Sequence, residues 1–274
     1  MNRSTEQKMH YTLRIAAAMC FIGHGAFGII TKPIWCNYFG VFGIGQHMSY
    51  QLMPVVGVID IFCGAVMLIY PLRAVPLWLV LWGAVTASLR PLSGEPFAEF
   101  IERAGNFGAP LALLFLSGGL RVRLKNIFSP IDTNRPVNNK MWQHCLICLQ
   151  IIVFLLLAGH GWLNLLEKKS LLEQYRAIGF SNPPHTAITI GIAEIIAAFA
   201  VLVKPLRSLL FLLIFWKIFS EFFYPHHEVF EWIERGGSYG CIIALWLATG
   251  ENSFSSCWDK ITPKNNPMRN TAQS

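Results

Sequence analysis

The sequence predicts an all-α, polytopic membrane protein of eight transmembrane helices, arranged as two pseudo-symmetric four-helix bundles. Three observations predict it. Of 274 residues, 54% are apolar and only 14% charged, with a mean hydropathy of +0.45, which excludes an ordinary water-soluble enzyme. Apolar runs near the roughly 17–25 residues needed to cross a bilayer recur along the whole chain, with only short polar connections between them. The second half also restates the first at an offset of about 134 residues.

Taken in order, the runs fall at about 13–31, 52–70, 75–90, 98–120, 143–163, 187–203, 206–224 and 231–249. The first follows a polar start, Asn2 to Thr12, and has no small-residue cleavage site, so it is expected to remain as a span. An even count puts both termini in one compartment. Arg3, Lys8, Arg14, Arg73, Arg121, Arg123, Lys125, Arg135, Lys140, Lys204, Arg207, Lys260, Lys264 and Arg269 all fall on that side. The positive-inside rule makes it the cytoplasm, and the expected location is the inner (plasma) membrane. The net charge of +7 thus reports orientation, and no nucleic-acid partner is expected. Acids concentrate in the opposite, longer loops, which places the chemically rich face outside. The expected organisation is a first membrane unit over 1–125, a cytoplasmic linker over 126–141, a second unit over 142–250 and a polar cytoplasmic tail over 251–274.

The repeat is read from short matches. Gly23-His24-Gly25 returns as Gly159-His160-Gly161, Gly57-Val-Ile-Asp60 as Gly191-Ile-Ala-Glu194, Pro71-Leu-Arg73 as Pro205-Leu-Arg207, and Trp82 as Trp216. Glu99-Phe-Ile-Glu102-Arg103-Ala-Gly105-Asn106 returns as Glu231-Trp-Ile-Glu234-Arg235-Gly-Gly237-Ser238. Four spans per unit give both copies one orientation, related by a pseudo-two-fold axis along the membrane normal.

Leu13-Arg14-Ile15 leading to Gly-His-Gly-x-x-Gly-Ile, the acid of Gly-x-x-Asp60/Glu194, and Pro-Leu-Arg before the third helix resemble the DoxX/DoxD-like four-helix membrane proteins. Each half covers about one such unit. The resemblance implies thiosulfate:quinone oxidoreduction or a place in a membrane oxidoreductase complex, with quinone as the cofactor and an oxidoreductase subunit as partner. The chain departs from that pattern by its duplication and by its Glu-x-x-Glu-Arg motif.

Ionisable residues within the membrane face a bundle interior or a wet cavity by default. His24, Asp60, His160 and Glu194 form a symmetric set of one imidazole and one carboxylate per half, the candidate catalytic residues. Separate pairs suit proton transfer to a quinone; a shared two-His, two-carboxylate site suits a divalent metal or, with two histidines, a haem; simple helix-to-helix pairing suits neither. Glu99, Glu102 and Arg103, and Glu231, Glu234 and Arg235, lie at the outer ends of the fourth and eighth helices. In a continuous helix Glu99, Glu102 and Asn106 share a face and Arg103 reaches Glu99 at i, i+4. With Arg90, these residues either rim a pocket for an anionic substrate or anchor helix ends at the interface.

Lys217 and Glu221 correspond to Gly83 and Ala87, a joint presence and joint absence that suggests mutual neutralisation. Arg90, opposite Tyr224, is a lone cation suited to an oxyanion, a carboxylate or a lipid phosphate. His226-His227-Glu228 with Glu231 permits a metal site if that loop is helical. Cys145 and Cys148 have redox-pair spacing within a span, where cysteine behaves as a small hydrophobe. Trp78, Trp82, Trp216, Trp232 and Trp246 suit interfacial belts or stacking on a ring.

The expected function is a quinone-linked redox subunit, or the membrane anchor of an oxidoreductase, with an outward-facing cavity. The alternatives are a proton-coupled small-solute transporter and a non-catalytic scaffold.

Overall fold

The computed structural model describes residues 4–119, 126–134, 136–221 and 229–250, and these are helical with no strand among them. The helices are α1 (Thr5–Ile29), α2 (Trp35–Gly40), α3 (Gln46–Ile69), α4 (Ala74–Leu92), α5 (Ala98–Glu102), α6 (Ala104–Leu116), α7 (Asn139–Leu165), α8 (Lys169–Ile178), α9 (Pro183–Val203), α10 (Arg207–Glu221), α11 (Val229–Glu234) and α12 (Gly236–Ala248).

Five of them, α1, α3, α4, α7 and α9, are long and apolar enough to cross a membrane. Their outer faces carry Val55, Val58, Phe62 and Ile69 on α3 and Ile192, Ile196 and Phe199 on α9, all exposed. So large an apolar surface is compatible with lipid and not with water. The protein is therefore a membrane protein. Local signals set the ends: Ser4 and Gln7 form a capping box on α1, and the Asn138 side chain accepts from the Met141 amide to start α7. These caps extend both helices beyond the apolar runs that mark them in the sequence.

Of the remaining three expected spans, two differ from the sequence reading, and the one at 206–224 is described only as far as Glu221. The runs at 98–120 and 231–249 are each broken by a turn, at Arg103 between α5 and α6 and at Arg235 between α11 and α12. The breaks leave α6 and α12 at 13 residues each, and α10 has 15 described residues. Small residues explain the turns. Gly105 and Gly237 bring the starts of α6 and α12 into backbone contact, so that a Cβ on Gly105 would lie 2.7 Å from the Ser238 nitrogen.

Packing interleaves the two halves. Helix α1 lies on α3 of its own half and on α11 and α12 of the other; α7 lies on α9 and on α5 and α6. Gly23 of α1 is pressed on the backbone of Glu234, and Gly159 of α7 on the backbone of Glu102, contacts that leave no room for a Cβ. The core lies along these seams, with Leu13, Ala17 and Cys20 of α1, Leu149 and Val153 of α7, Leu113 of α6 and Leu245 of α12 all buried.

Contacts at the ends of the helices come in matched sets. Arg14 donates from Nε to the Met67 carbonyl at 3.0 Å and from Nη2 to that of Leu68 at 2.6 Å, while Gln150 donates to the carbonyls of Val201 and Leu202 at 3.2 and 3.3 Å. Both satisfy the orphan carbonyls ending a long helix. Arg73 reaches the Ser117 carbonyl at 2.8 Å and Arg207 that of Gly250 at 3.1 Å. Just past α1 and α7, Thr31 and Glu167 both take left-handed backbone angles, φ 54° and 51°. That conformation is costly for residues with a Cβ, by roughly 1–2 kcal/mol. It directs the next residues, Lys32 and Lys168, across to Glu231 and Glu99 of the opposite half.

Candidate functional site

Histidine and carboxylate meet in two separate pairs. His24 on α1 bonds through Nδ1 to Asp60 Oδ2 on α3 at 2.7 Å, and His160 on α7 bonds through Nδ1 to Glu194 Oε2 on α9 at 2.6 Å. Close glycine contacts make the reach possible: α1 and α3 touch at Gly25 and Gly57, and α7 and α9 at Gly161 and Gly191. The shared two-His, two-carboxylate site is not formed, because each imidazole turns to the acid that ends the Gly-x-x-acid motif of its own half. No group of three metal-ligating side chains is present among the described residues. The His226-His227-Glu228 run lies outside the described residues, as do Tyr224 and the cysteine and basic residues of the tail.

The two pairs sit in different surroundings. Around His160 both oxygens of the Glu194 carboxylate are engaged. Asn164 donates to Glu194 Oε2 at 3.2 Å, the Tyr175 hydroxyl donates to Asn164 at 2.7 Å, and the Trp216 indole donates to Glu194 Oε1 at 3.0 Å. Helix α8 supplies Tyr175, whose phenol burial pushes above its ordinary pKa.

Around His24 the matching groups are not engaged. Asp60 is one methylene shorter than Glu194, and its Oδ1 is buried without a partner among the described residues; so is the indole nitrogen of Trp82, the counterpart of Trp216. His24 packs instead against Trp35 of α2, the rings tilted by 32° with centroids 4.6 Å apart. It opens onto a cavity of about 110 Å³ whose walls include Phe27, Trp35, Phe39, Trp82, Arg90 and Arg103. Glu231 and Glu234 reach this cavity from α11, so it draws on both halves.

An ion-pair network runs from this cavity across the molecule. Arg90 is not alone: it meets Glu95 at 3.0 Å and Glu99 at 3.5 Å, with its guanidinium 5.4 Å from the Tyr38 ring centre. The Tyr38 hydroxyl donates to Glu95 at 2.6 Å, and burial raises that phenol's pKa. Arg103 pairs with Glu99 at 2.6 Å and Glu102 at 3.1 Å. Glu102 also receives Arg235 at 2.9 Å; Arg235 pairs through Nε with Glu221 at 3.0 Å, and Glu221 with Lys217 at 3.2 Å. Glu221 thus neutralises two cations, one of them from α11–α12, where the sequence suggested only Lys217. Lys168 closes on Glu99 and Lys32 on Glu231.

The break at Arg103 changes the expected common face of Glu99, Glu102 and Asn106. All three are buried, and Asn106 lines the cavity while Glu99 turns to Lys168 and Arg90. Cys145 and Cys148 are buried free thiols in the core. Among the tryptophans, Trp78 and Trp82 stack on each other at 5.6 Å, Trp246 lies under the Arg207 guanidinium, and Trp216 is engaged with Glu194. The sequence reading passed over Trp35, Tyr38, Asn164 and Tyr175. Asn164 was legible as the residue four past His160, on the same helical face; the other three lie in connecting segments whose docking no local pattern foretells.

No family model, no curated protein and no solved structure matches the chain.

Proposed function

We propose that this is a multi-pass inner-membrane protein of DoxX-like type, a tandem of two four-helix units, which acts as a quinone-linked redox subunit. The observation that carries the reading is a cavity lined by a carboxylate-held imidazole and two arginines: His24, bonded to Asp60, with Arg90 and Arg103. With Nδ1 committed to Asp60, Nε2 is the nitrogen that can exchange a proton with a bound molecule, and the carboxylate keeps the ring oriented. The arginines attract an anionic donor. Two electrons and two protons pass from the donor to quinone in the bilayer, and His24 carries one of the protons. Arg235, bound by Glu102 and Glu221, and the His160–Glu194 pair hold the fold.

The experiment is quinone reduction by membranes containing the wild-type protein or His24→Ala at matched expression. The reading requires loss of quinone reduction in His24→Ala; unchanged turnover sinks it. Solute uptake that follows the pH gradient in proteoliposomes, without quinone reduction, would assign the same cavity to a proton-coupled transporter.

A further inference from the structure

The tandem arrangement lets one half be read as a filled version of the other. At an offset of 134, Ala87 and Gly83 of α4 correspond to Glu221 and Lys217 of α10. In the C-terminal half the Glu221 carboxylate sits on Arg235 Nε at 3.0 Å and is backed by Lys217, with Glu221 and Lys217 both buried. In the N-terminal half the counterpart of Arg235 is Arg103, and Ala87 supplies no carboxylate. Ala87 and Arg103 both line the cavity. The hydrogen bonds of Arg103 to Glu99 and Glu102 all run through Nη1, which leaves the rest of its guanidinium fork to that space. Its two acids are also shared with other cations, Glu99 with Lys168 and Arg90, and Glu102 with Arg235. Glu234 also acts on Arg103 across the cavity, but no carboxylate of the N-terminal half holds the edge of Arg103 that Glu221 holds on Arg235.

We infer that the N-terminal cavity binds an organic monocarboxylate, whose carboxylate occupies on Arg103 the place that Glu221 occupies on Arg235, and that the C-terminal half carries its own plug. The inference names the chemical class of the donor and so rests on the cavity being the donor's site. The remainder of the ligand is apolar and flat, because Phe27, Trp35, Phe39 and Trp82 form the walls beyond the arginine. Its charge is kept low by Glu231 and Glu234, two carboxylates that line the same cavity. A second negative charge would meet those carboxylates in a site of low dielectric. Charge-assisted pairing to a planar guanidinium favours a carboxylate over a neutral isostere of the same shape.

The test is equilibrium binding of benzoate to the purified full chain, read by calorimetry, with benzamide as the neutral isostere and phthalate as the dianion. One equivalent of benzoate is expected, with benzamide and phthalate at least about tenfold weaker, a difference of about 1.4 kcal/mol each. Ala87→Glu puts the plug into the open half and is expected to abolish binding while leaving the melting temperature near that of wild type. Lys217→Gly/Glu221→Ala removes the plug and is expected to admit a second equivalent. Benzamide binding as well as benzoate, benzoate affinity unchanged in a folded Ala87→Glu protein, or no benzoate binding at all would overturn the inference. If Ala87→Glu does not fold, the comparison of benzoate with benzamide and phthalate decides alone. Failure of benzoate to bind while His24→Ala still abolishes quinone reduction would leave the redox reading standing. Benzoate binding with quinone reduction indifferent to His24 would overturn the redox reading and leave this one.

Discussion

The Trp216 indole donates to Glu194 at 3.0 Å, and that one bond separates the two halves of the molecule. Its counterpart, Trp82, makes no such bond to the shorter Asp60: its nitrogen and Asp60 Oδ1 are both buried without partners among the described residues. The Glu194 carboxylate has both oxygens engaged, whereas Asp60 keeps one of its own unpartnered near the cavity onto which His24 opens. Buried polar atoms cost about 1–3 kcal/mol each when unpaired, so a site that keeps them is less stable than its satisfied relative.

The first prediction follows from the closed half. Tyr175→Phe removes the hydroxyl that donates to Asn164 and is expected to lower stability by about 1 kcal/mol. Asn164→Leu, which also strips a donor from Glu194, should cost more. Denaturation in detergent measures both, and neither should alter what the N-terminal cavity retains.

The second concerns the crossing of α6 and α12. Gly105→Val or Gly237→Val would force Cβ atoms into facing backbone and prise the turns at Arg103 and Arg235 apart. Overpacking of this kind costs about 1–3 kcal/mol and often more against backbone. A sharp fall in yield of folded protein on size exclusion is expected, whereas Gly40→Ala, where a Cβ meets nothing, should behave as wild type.

A third tests the buried ion pairs. Glu221→Ala leaves Lys217 and part of Arg235 uncompensated and should destabilise by about 3–5 kcal/mol. Lys217→Met added to Glu221→Leu removes the charge along with its partner and should recover much of the loss. Equal melting temperatures for the single and double variants would show that the pair is not what neutralises this part of the core.

The fourth is a pH dependence. Burial raises the Tyr38 and Tyr175 phenols above the value of about 10 they have in an unfolded chain. The folded state therefore keeps their protons after the unfolded state has released them, and stability falls as pH rises above about 10. Each tyrosine contributes about 1.4 kcal/mol per pH unit to that slope. Tyr38→Phe/Tyr175→Phe should be less stable at neutral pH but flatter between about pH 10 and 11.

Much of this was legible in the sequence, for reasons that differ by element. The long helices announce themselves because apolar length is a direct requirement of the bilayer. The His–carboxylate pairs were legible because Gly-His-Gly and Gly-x-x-acid combine a polar group with the small residues that let two backbones approach. The breaks at Arg103 and Arg235 were not, since each arises from Gly105 meeting Gly237 across the molecule, a contact that no local pattern announces. Arg90 looked alone because Glu95 and Glu99, its partners, fall beyond a loop. Lys217 and Glu221 could be recognised as a pair, yet that Glu221 also takes Arg235 depends on how α10 docks against the turn before α12.

The most direct measurement is a native mass spectrum of the detergent-purified protein beside those of His24→Ala and His160→Ala. The account predicts one small organic molecule per chain, lost from His24→Ala and kept by a folded His160→Ala. A bound mass that survives His24→Ala, one lost from both variants alike, or a wild-type chain carrying only lipid would contradict it.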